Sequence, residues 1–154
     1  MINAAIVLQS EHPSAFTKIY GMMVMERTFH ALERGGVDTV LLPYAAEEKL
    51  QKVIERNKDW KIKFRFTDNF KSVFGEIKNG LVVLDAPMAI SQAIPQQLIA
   101  EGSPEGQATV AQNRKAAFFP TSFLQKIKTV PHSVSDWEDV ALSLIHISEP
   151  TRPY

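Results

Sequence analysis

The 154-residue chain has no cysteine. That absence rules out disulfides and thiolate metal sites and fits a reducing compartment. It also has no net charge, with seventeen Lys and Arg against seventeen Asp and Glu. A nucleic-acid binder dominated by phosphate contacts needs a cationic surplus, so the balance argues against that class. The four histidines, His12, His30, His132 and His146, are far apart and form no ligand spacing for zinc. No apolar run approaches the ~18–20 residues of a membrane span, and Met1-Ile2-Asn3 opens no signal peptide. Neither a Walker loop nor a serine nucleophile elbow is found. What is there is ordinary for one globular domain: 45% hydrophobic and 22% charged residues, enough to bury a core. These totals predict a soluble, cytoplasmic protein.

The end of the chain is set aside before the fold is read. Leu142 to Arg152 runs Leu-Ser-Leu-Ile-His-Ile-Ser-Glu-Pro-Thr-Arg, which is what the end of a common sequencing-library transposon adapter encodes in one frame. Residues 142–154 are therefore read as an adapter-derived tail, and residues 1–141 as a domain that is incomplete at its C-terminus. The alternative is a natural helix from Ser135 to Leu144 followed by a Pro-rich tail.

Along the domain, short apolar runs alternate with amphipathic stretches. Ala4–Leu8, Val37–Pro43 with its Thr-Val-Leu-Leu run, and Leu81–Leu84 suit strands buried on both faces of a parallel sheet. Lys61–Phe66 alternates charged and apolar residues, the pattern of an edge strand. Gln9–Tyr20 is polar and is expected to be loop. Met25, Phe29 and Leu32 recur at helical spacing, with Glu26, Arg27, Glu33 and Arg34 on the other side and Gly35-Gly36 as a stop. Ala46–Asn57 is a second amphipathic helix, with Leu50, Val53 and Ile54 facing in. Phe70–Ile77 and Pro95–Glu101 read as helices, and Gln107–Asn113 with Ala116–Phe119 as a hairpin. Thr121–Lys128 is a short helix capped by Thr121 or Ser122, and Ser135 and Glu138 form a capping box that opens a last helix. Met22, Met23 and Met25 read as core filler, and Trp60 and Trp137 as packing residues at the core edge. The alternation predicts a three-layer α/β/α sandwich with a mainly parallel sheet.

In such sheets ligands bind beyond the carboxyl ends of the strands. Three segments meet that condition: Gln9–Tyr20, Pro43–Ala45 and Asp85–Ile90. Asp85, directly after a buried strand, can present a hard oxygen to Mg²⁺, or it can act as a turn or helix-cap acceptor. Lys18 lies before the first helix, where a cation can hold a phosphate; a solvated surface lysine is the plainer reading. His12 in the same loop reads as exposed.

From Lys18 to Leu42 the chain resembles the sugar-phosphate nucleotidyltransferases, above all the divergent members fused to CDP-alcohol phosphatidyltransferases, including inositol-phosphate cytidylyltransferase. Gly21, Glu26, Arg27, Leu32, Gly36 and Val37 fall where that family's pattern has them, Met23 stands in place of its Pro, and Val82-Val-Leu-Asp85 is similar to the strand ending in its metal aspartate. The resemblance implies a nucleotidyltransferase fold and transfer of a nucleotidyl group from CTP or another NTP to a phosphorylated sugar or polyol. It implies Lys18 as the catalytic and substrate-binding lysine, Gln9 and Ser10 as substrate-binding loop residues, and Asp85 as the ligand of Mg²⁺. Membrane contact would come only through a phosphatidyltransferase domain after residue 141. The chain departs from the family between Leu8 and Lys18, where no glycine occurs to let the backbone approach phosphates. Glu11 adds negative charge there, which implies impaired transfer or a non-catalytic module that positions or regulates the attached phosphatidyltransferase.

Because residues 142–154 are read as never selected to pack, deleting 145–154 is expected to leave the melting temperature within about 3 °C, the shift that ~1 kcal/mol produces in a domain of this size. A calorimetric loss of several kcal/mol would place the tail in the fold.

Overall fold

The structure is a computed structural model that describes residues 3–8, 16–19, 21–85, 91–101, 109–110, 115–127, 130–131, 134, 136–137 and 139. Strand β1 (Asn3–Val7) lies between two parallel partners, β4 (Thr39–Pro43) and β6 (Gly80–Leu84). A strand paired at both edges and covered on both faces needs apolar side chains in both directions. Its sequence Ala-Ala-Ile-Val supplies them: Ala4 and Ile6 enter one core, Ala5 and Val7 the other. Beyond β4 runs β5 (Lys63–Thr67), parallel and at the sheet edge, with the half-exposed pattern its alternating sequence predicts. On the other side β8 (Ala116–Pro120) pairs antiparallel with β6, and β7 (Thr109–Val110) pairs antiparallel with β8. The order is β5-β4-β1-β6-β8-β7.

Helices cover both faces. The core that contains Ala5, Val7, Val82 and Leu84 is closed by Met25, Phe29 and Leu32 of α1 (Val24–Arg34), Leu50 of α2 (Glu47–Arg56) and Leu98 of α4 (Ala93–Glu101). The core that contains Ala4, Ile6, Leu81 and Val83 is closed by Val73 and Phe74 of α3 (Phe70–Phe74) and by Phe123 and Leu124 of α5 (Thr121–Leu124). Trp137 completes it. Expected at the core edge, its side chain is 0% exposed and stacks beside Phe74, Phe119 and Phe123. The result is the three-layer α/β/α sandwich with a mainly parallel sheet. Among the described residues no helix is long and apolar enough to cross a membrane.

Several local expectations are corrected. Lys18 is not in a loop: Lys18-Ile19 is strand β2, paired antiparallel with β3 (Met22–Met23) around Gly21. Gly21 has φ +82°, which a tight hairpin turn requires and other residues resist. Met22 and Met23 are therefore half-buried strand residues, and only Met25 of that cluster is core. Helix α3 stops at Phe74 rather than Ile77. It is capped by Asn69, whose side chain accepts the Ser72 N–H at 3.3 Å. Helix α5 takes no side-chain cap; the Thr121 hydroxyl instead donates to the Ile77 carbonyl at 3.5 Å. Val134, Asp136, Trp137 and Asp139 are helical, while Ser135 and Glu138 of the expected capping box and the tail 142–154 lie outside the described residues.

Glu26 is the largest departure. Expected on the solvent side of α1, it is only 8% exposed. Its carboxylate accepts from the Met23 N–H at 3.2 Å, Arg56 at 3.2 Å and Asn57 Nδ2 at 3.0 Å. Three donors compensate for its burial and tie the start of α1 to the end of α2. At the far edge, Arg65 on β5 and Glu76 meet at 2.9 Å. That hydrogen bond holds the Glu76 carboxyl below its ordinary range and raises the Arg65 guanidinium. The contribution of Glu76 is present above the ordinary carboxylate range and lost as pH falls through it. Both groups are exposed, so the effect is small.

Gly80 sits where β6 meets β8. A Cβ there would meet the Phe118 ring and lie 2.8 Å from the Phe119 carbonyl oxygen. Gly80→Ala is expected to cost ~1–3 kcal/mol by overpacking, measured as a lower urea midpoint at unchanged slope.

Candidate functional site

From β1 the chain passes to β4 and β5 on one side, then returns to β6 on the other. The strand order therefore reverses between β1 and β6, and the crevice outside their carboxyl ends is the topological switch point where open α/β sheets bind ligands. Asp85 follows β6 at that edge, and the segment after β1 leads there too. Pro43 ends β4 on the same edge, followed by Tyr44, which is 55% exposed.

Lys18 lies on the β2–β3 hairpin. The hairpin runs straight into α1, held by a 2.9 Å bond from the Val24 N–H to the Thr17 carbonyl. The Lys18 side chain is exposed. Phe16, two residues earlier, packs against the α1–α2 core and carries the Lys49 ammonium 5.2 Å from its ring centre, a cation–π contact. Gln9, Ser10, His12 and residues 86–90 lie outside the described residues.

Asp85 is held on the other face. Residues 81 and 83 of β6 face the α3–α5 core, and Asp85 continues that alternation. Its Oδ1 accepts the backbone N–H of Val134 at 2.9 Å, the first described helical residue of the C-terminal segment. Its Oδ2 lies 3.8 Å from Lys115 Nζ, and its own N–H donates to the Lys115 carbonyl at 2.8 Å. This is the geometry of a cap acceptor with a cation beside it, and it joins β6, the start of β8 and the Trp137 helix. A magnesium or manganese ion needs several hard oxygens turned toward it. Both oxygens of Asp85 already face donors, and no group of three or more His, Asp or Glu converges among the described residues. The described residues alone do not fit a divalent cation.

Asp85 thus lies directly after β6, and Lys18 lies on the separate two-stranded hairpin that leads into α1. The Lys18 hairpin feeds the α1 face, while the Asp85 carboxylate turns to the face of α5 and Trp137. Lys115 and Val134 were not legible as site residues, because both lie far along the chain. The only trace was the reading of Asp85 as a cap acceptor.

No family model matches the chain, and no curated protein does. Solved structures do. The chain is similar to 4-diphosphocytidyl-2C-methyl-D-erythritol synthase from Anaerococcus prevotii, at 12% identity over 97% of this chain and 84% of that one, with a TM-score of 0.65. A Mycobacterium tuberculosis protein solved as a manganese complex matches at 12% identity over 95% and 82%, TM-score 0.61. A cytidylyltransferase from Leptospira borgpetersenii matches at 15% over 94% and 68%, TM-score 0.57. At these identities the likeness is one of fold. The chain has the nucleotidyltransferase fold.

The two contacts of Asp85 differ in strength. Its carboxylate is 22% exposed, whereas the Lys115 side chain is 59% exposed. Asp85→Ala, which strips the charged acceptor from the Val134 N–H, is expected to cost ~1–3 kcal/mol. Lys115→Ala should cost under ~1 kcal/mol. Chemical denaturation of both variants checks the order, and equal losses would contradict the cap geometry.

Proposed function

We propose that this chain is a nucleotidyltransferase-like domain whose ligands are CTP or another NTP and a phosphorylated sugar or polyol, with transfer impaired or absent. The family reaction is attack by an acceptor phosphate oxygen on the α-phosphorus. The new P–O bond forms as the α–β bridge breaks, and pyrophosphate leaves. The observation that carries the reading is the nucleotidyltransferase fold with its switch-point crevice between β1 and β6, the strand that Asp85 follows. Lys18 is the proposed catalytic and phosphate-binding cation, Gln9 and Ser10 are proposed substrate contacts, and Asp85 is the proposed Mg²⁺ carboxylate of an active form.

Two features support impairment. Between Leu8 and Lys18 the chain carries Glu11 and no glycine, the residue type that lets a backbone bring its N–H groups close to a triphosphate. The Asp85 carboxylate is engaged by Val134 and Lys115. Lys18 alone does not replace several oriented donors, each worth ~1.5–3 kcal/mol when charge-assisted. The cap geometry of Asp85 favours a second reading, a non-catalytic module that positions or regulates a phosphatidyltransferase attached beyond residue 141. Residues 142–154 would then be an adapter-derived tail in place of that continuation.

Isothermal titration with CTP, ATP and GTP, with and without Mg²⁺, tests the reading on wild type and Asp85→Asn. The expected outcome is no measurable transfer, with any CTP binding weak and Mg²⁺-dependent. Micromolar or tighter binding of one nucleotide, lost in Asp85→Asn, would return the domain to the active enzymes.

A further inference from the structure

Helix α1 sorts its charges by side. Its acids face α2 and the approach to β5: Glu26 binds Arg56 and Asn57, and Glu33 Oε2 accepts the N–H groups of Lys61 at 2.7 Å and Ile62 at 3.2 Å. Its bases lie elsewhere. Arg27, His30 and Arg34, at helical spacing on one face, border a groove of about 540 Å³ toward the start of α4, where Ser91 and Gln92 form the opposite wall and Met22 closes one end. The volume suits a small molecule. Among the described residues no Asp or Glu lines it.

The donors in this groove are set by bonds made outside it. Trp60 Nε1–H donates to His30 Nδ1 at 3.2 Å, which fixes the ring and leaves Nε2 as the nitrogen that carries a proton, and His30 lines the groove. Trp60 is itself fixed edge-on to Phe29, with ring centres 5.6 Å apart. The N-terminus of α4, a nine-residue helix, adds its positive end to the same wall. Among the described residues, two guanidiniums, an imidazole, a hydroxyl, an amide and a helix N-terminus line the groove, and no carboxylate does.

We propose that the groove between α1 and α4 binds a phosphate monoester, with Arg34 and His30 holding the phosphate oxygens and Arg27 and α4 contributing field. A planar guanidinium fork matches phosphate oxygens in pairs. The uncharged chain as a whole and the small volume favour one phosphorylated small molecule over a nucleic acid. The groove takes its lining from α1, the start of α4 and Met22 of β3, and neither Lys18 nor Asp85 is part of it. The phosphate can belong to a free metabolite or to a lipid headgroup; the chemistry is shared.

The probes are glycerol phosphate by calorimetry and by Trp60 emission, and sedimentation with phosphatidylcholine vesicles containing phosphatidic acid. Arg34 is exposed, so Arg34→Ala should keep the fold, as a thermal melt will show. The expected result is saturable binding with a Kd of about 1 mM or tighter, weakened about tenfold in Arg34→Ala, unchanged in a variant of the exposed Lys52 on α2, Lys52→Ala, and not reproduced by glycerol. Vesicle binding weakened by the same variant supports the site and assigns the phosphate to a lipid, whereas binding of the soluble ester alone supports it and assigns a metabolite. Binding that survives Arg34→Ala, binding lost in Lys18→Ala, or no saturable response to either probe overturns the proposal. Loss in Lys18→Ala alone would credit the phosphate to the proposed nucleotide site and leave the proposed function standing.

Discussion

Strand β1 has no free edge and no free face, and every layer of the domain is referred to it. Hydrogen bonds to β4 and β6 occupy its two edges, while its alternating side chains enter two separate cores. Two consecutive alanines, Ala4 and Ala5, lie one on each side and are both fully buried. Without β1 the β4–β5 pair and the β6–β8–β7 group would share no backbone ladder. The same strand creates the functional geography, because the reversal of chain order beside it opens the switch-point crevice.

Beside that crevice Asp85 does structural work. Asp85 ends the expected strand, yet its carboxylate caps the segment that carries Trp137 and faces the ammonium of Lys115. Lys18 lies on a hairpin shaped by Gly21. A fold can retain the places of its chemistry while the side chains there take up packing and capping, and for that reason fold and activity have to be argued separately.

Charge on the helices follows a similar division. The acids of α1 serve neighbouring backbone and side-chain donors, and its bases line a groove on the other side. Overall neutrality conceals this separation. A count of charges describes the long-range field of the whole molecule, whereas a ligand meets the local one.

The chain's own pattern was enough to read most of the fold. Unbroken runs such as Ala4–Leu8 and Leu81–Leu84 specify buried parallel strands, the alternation of Lys61–Phe66 specifies an edge, and Met25, Phe29 and Leu32 specify a buried helix stripe. These signals are legible because strand and helix periods are properties of neighbouring residues. Less of the site was legible. Glu26 looked solvated until Arg56 and Asn57 came to it from about thirty positions away, and the paired strands at Lys18 depend on a turn whose sign no periodicity carries. The position of Asp85 at a strand end was local information. Whether its carboxylate would face a ligand or hold the N–H of Val134, forty-nine residues further on, was decided only when the sheet brought the two together, because a hydrogen bond depends on distance in space and sequence spacing does not contain it.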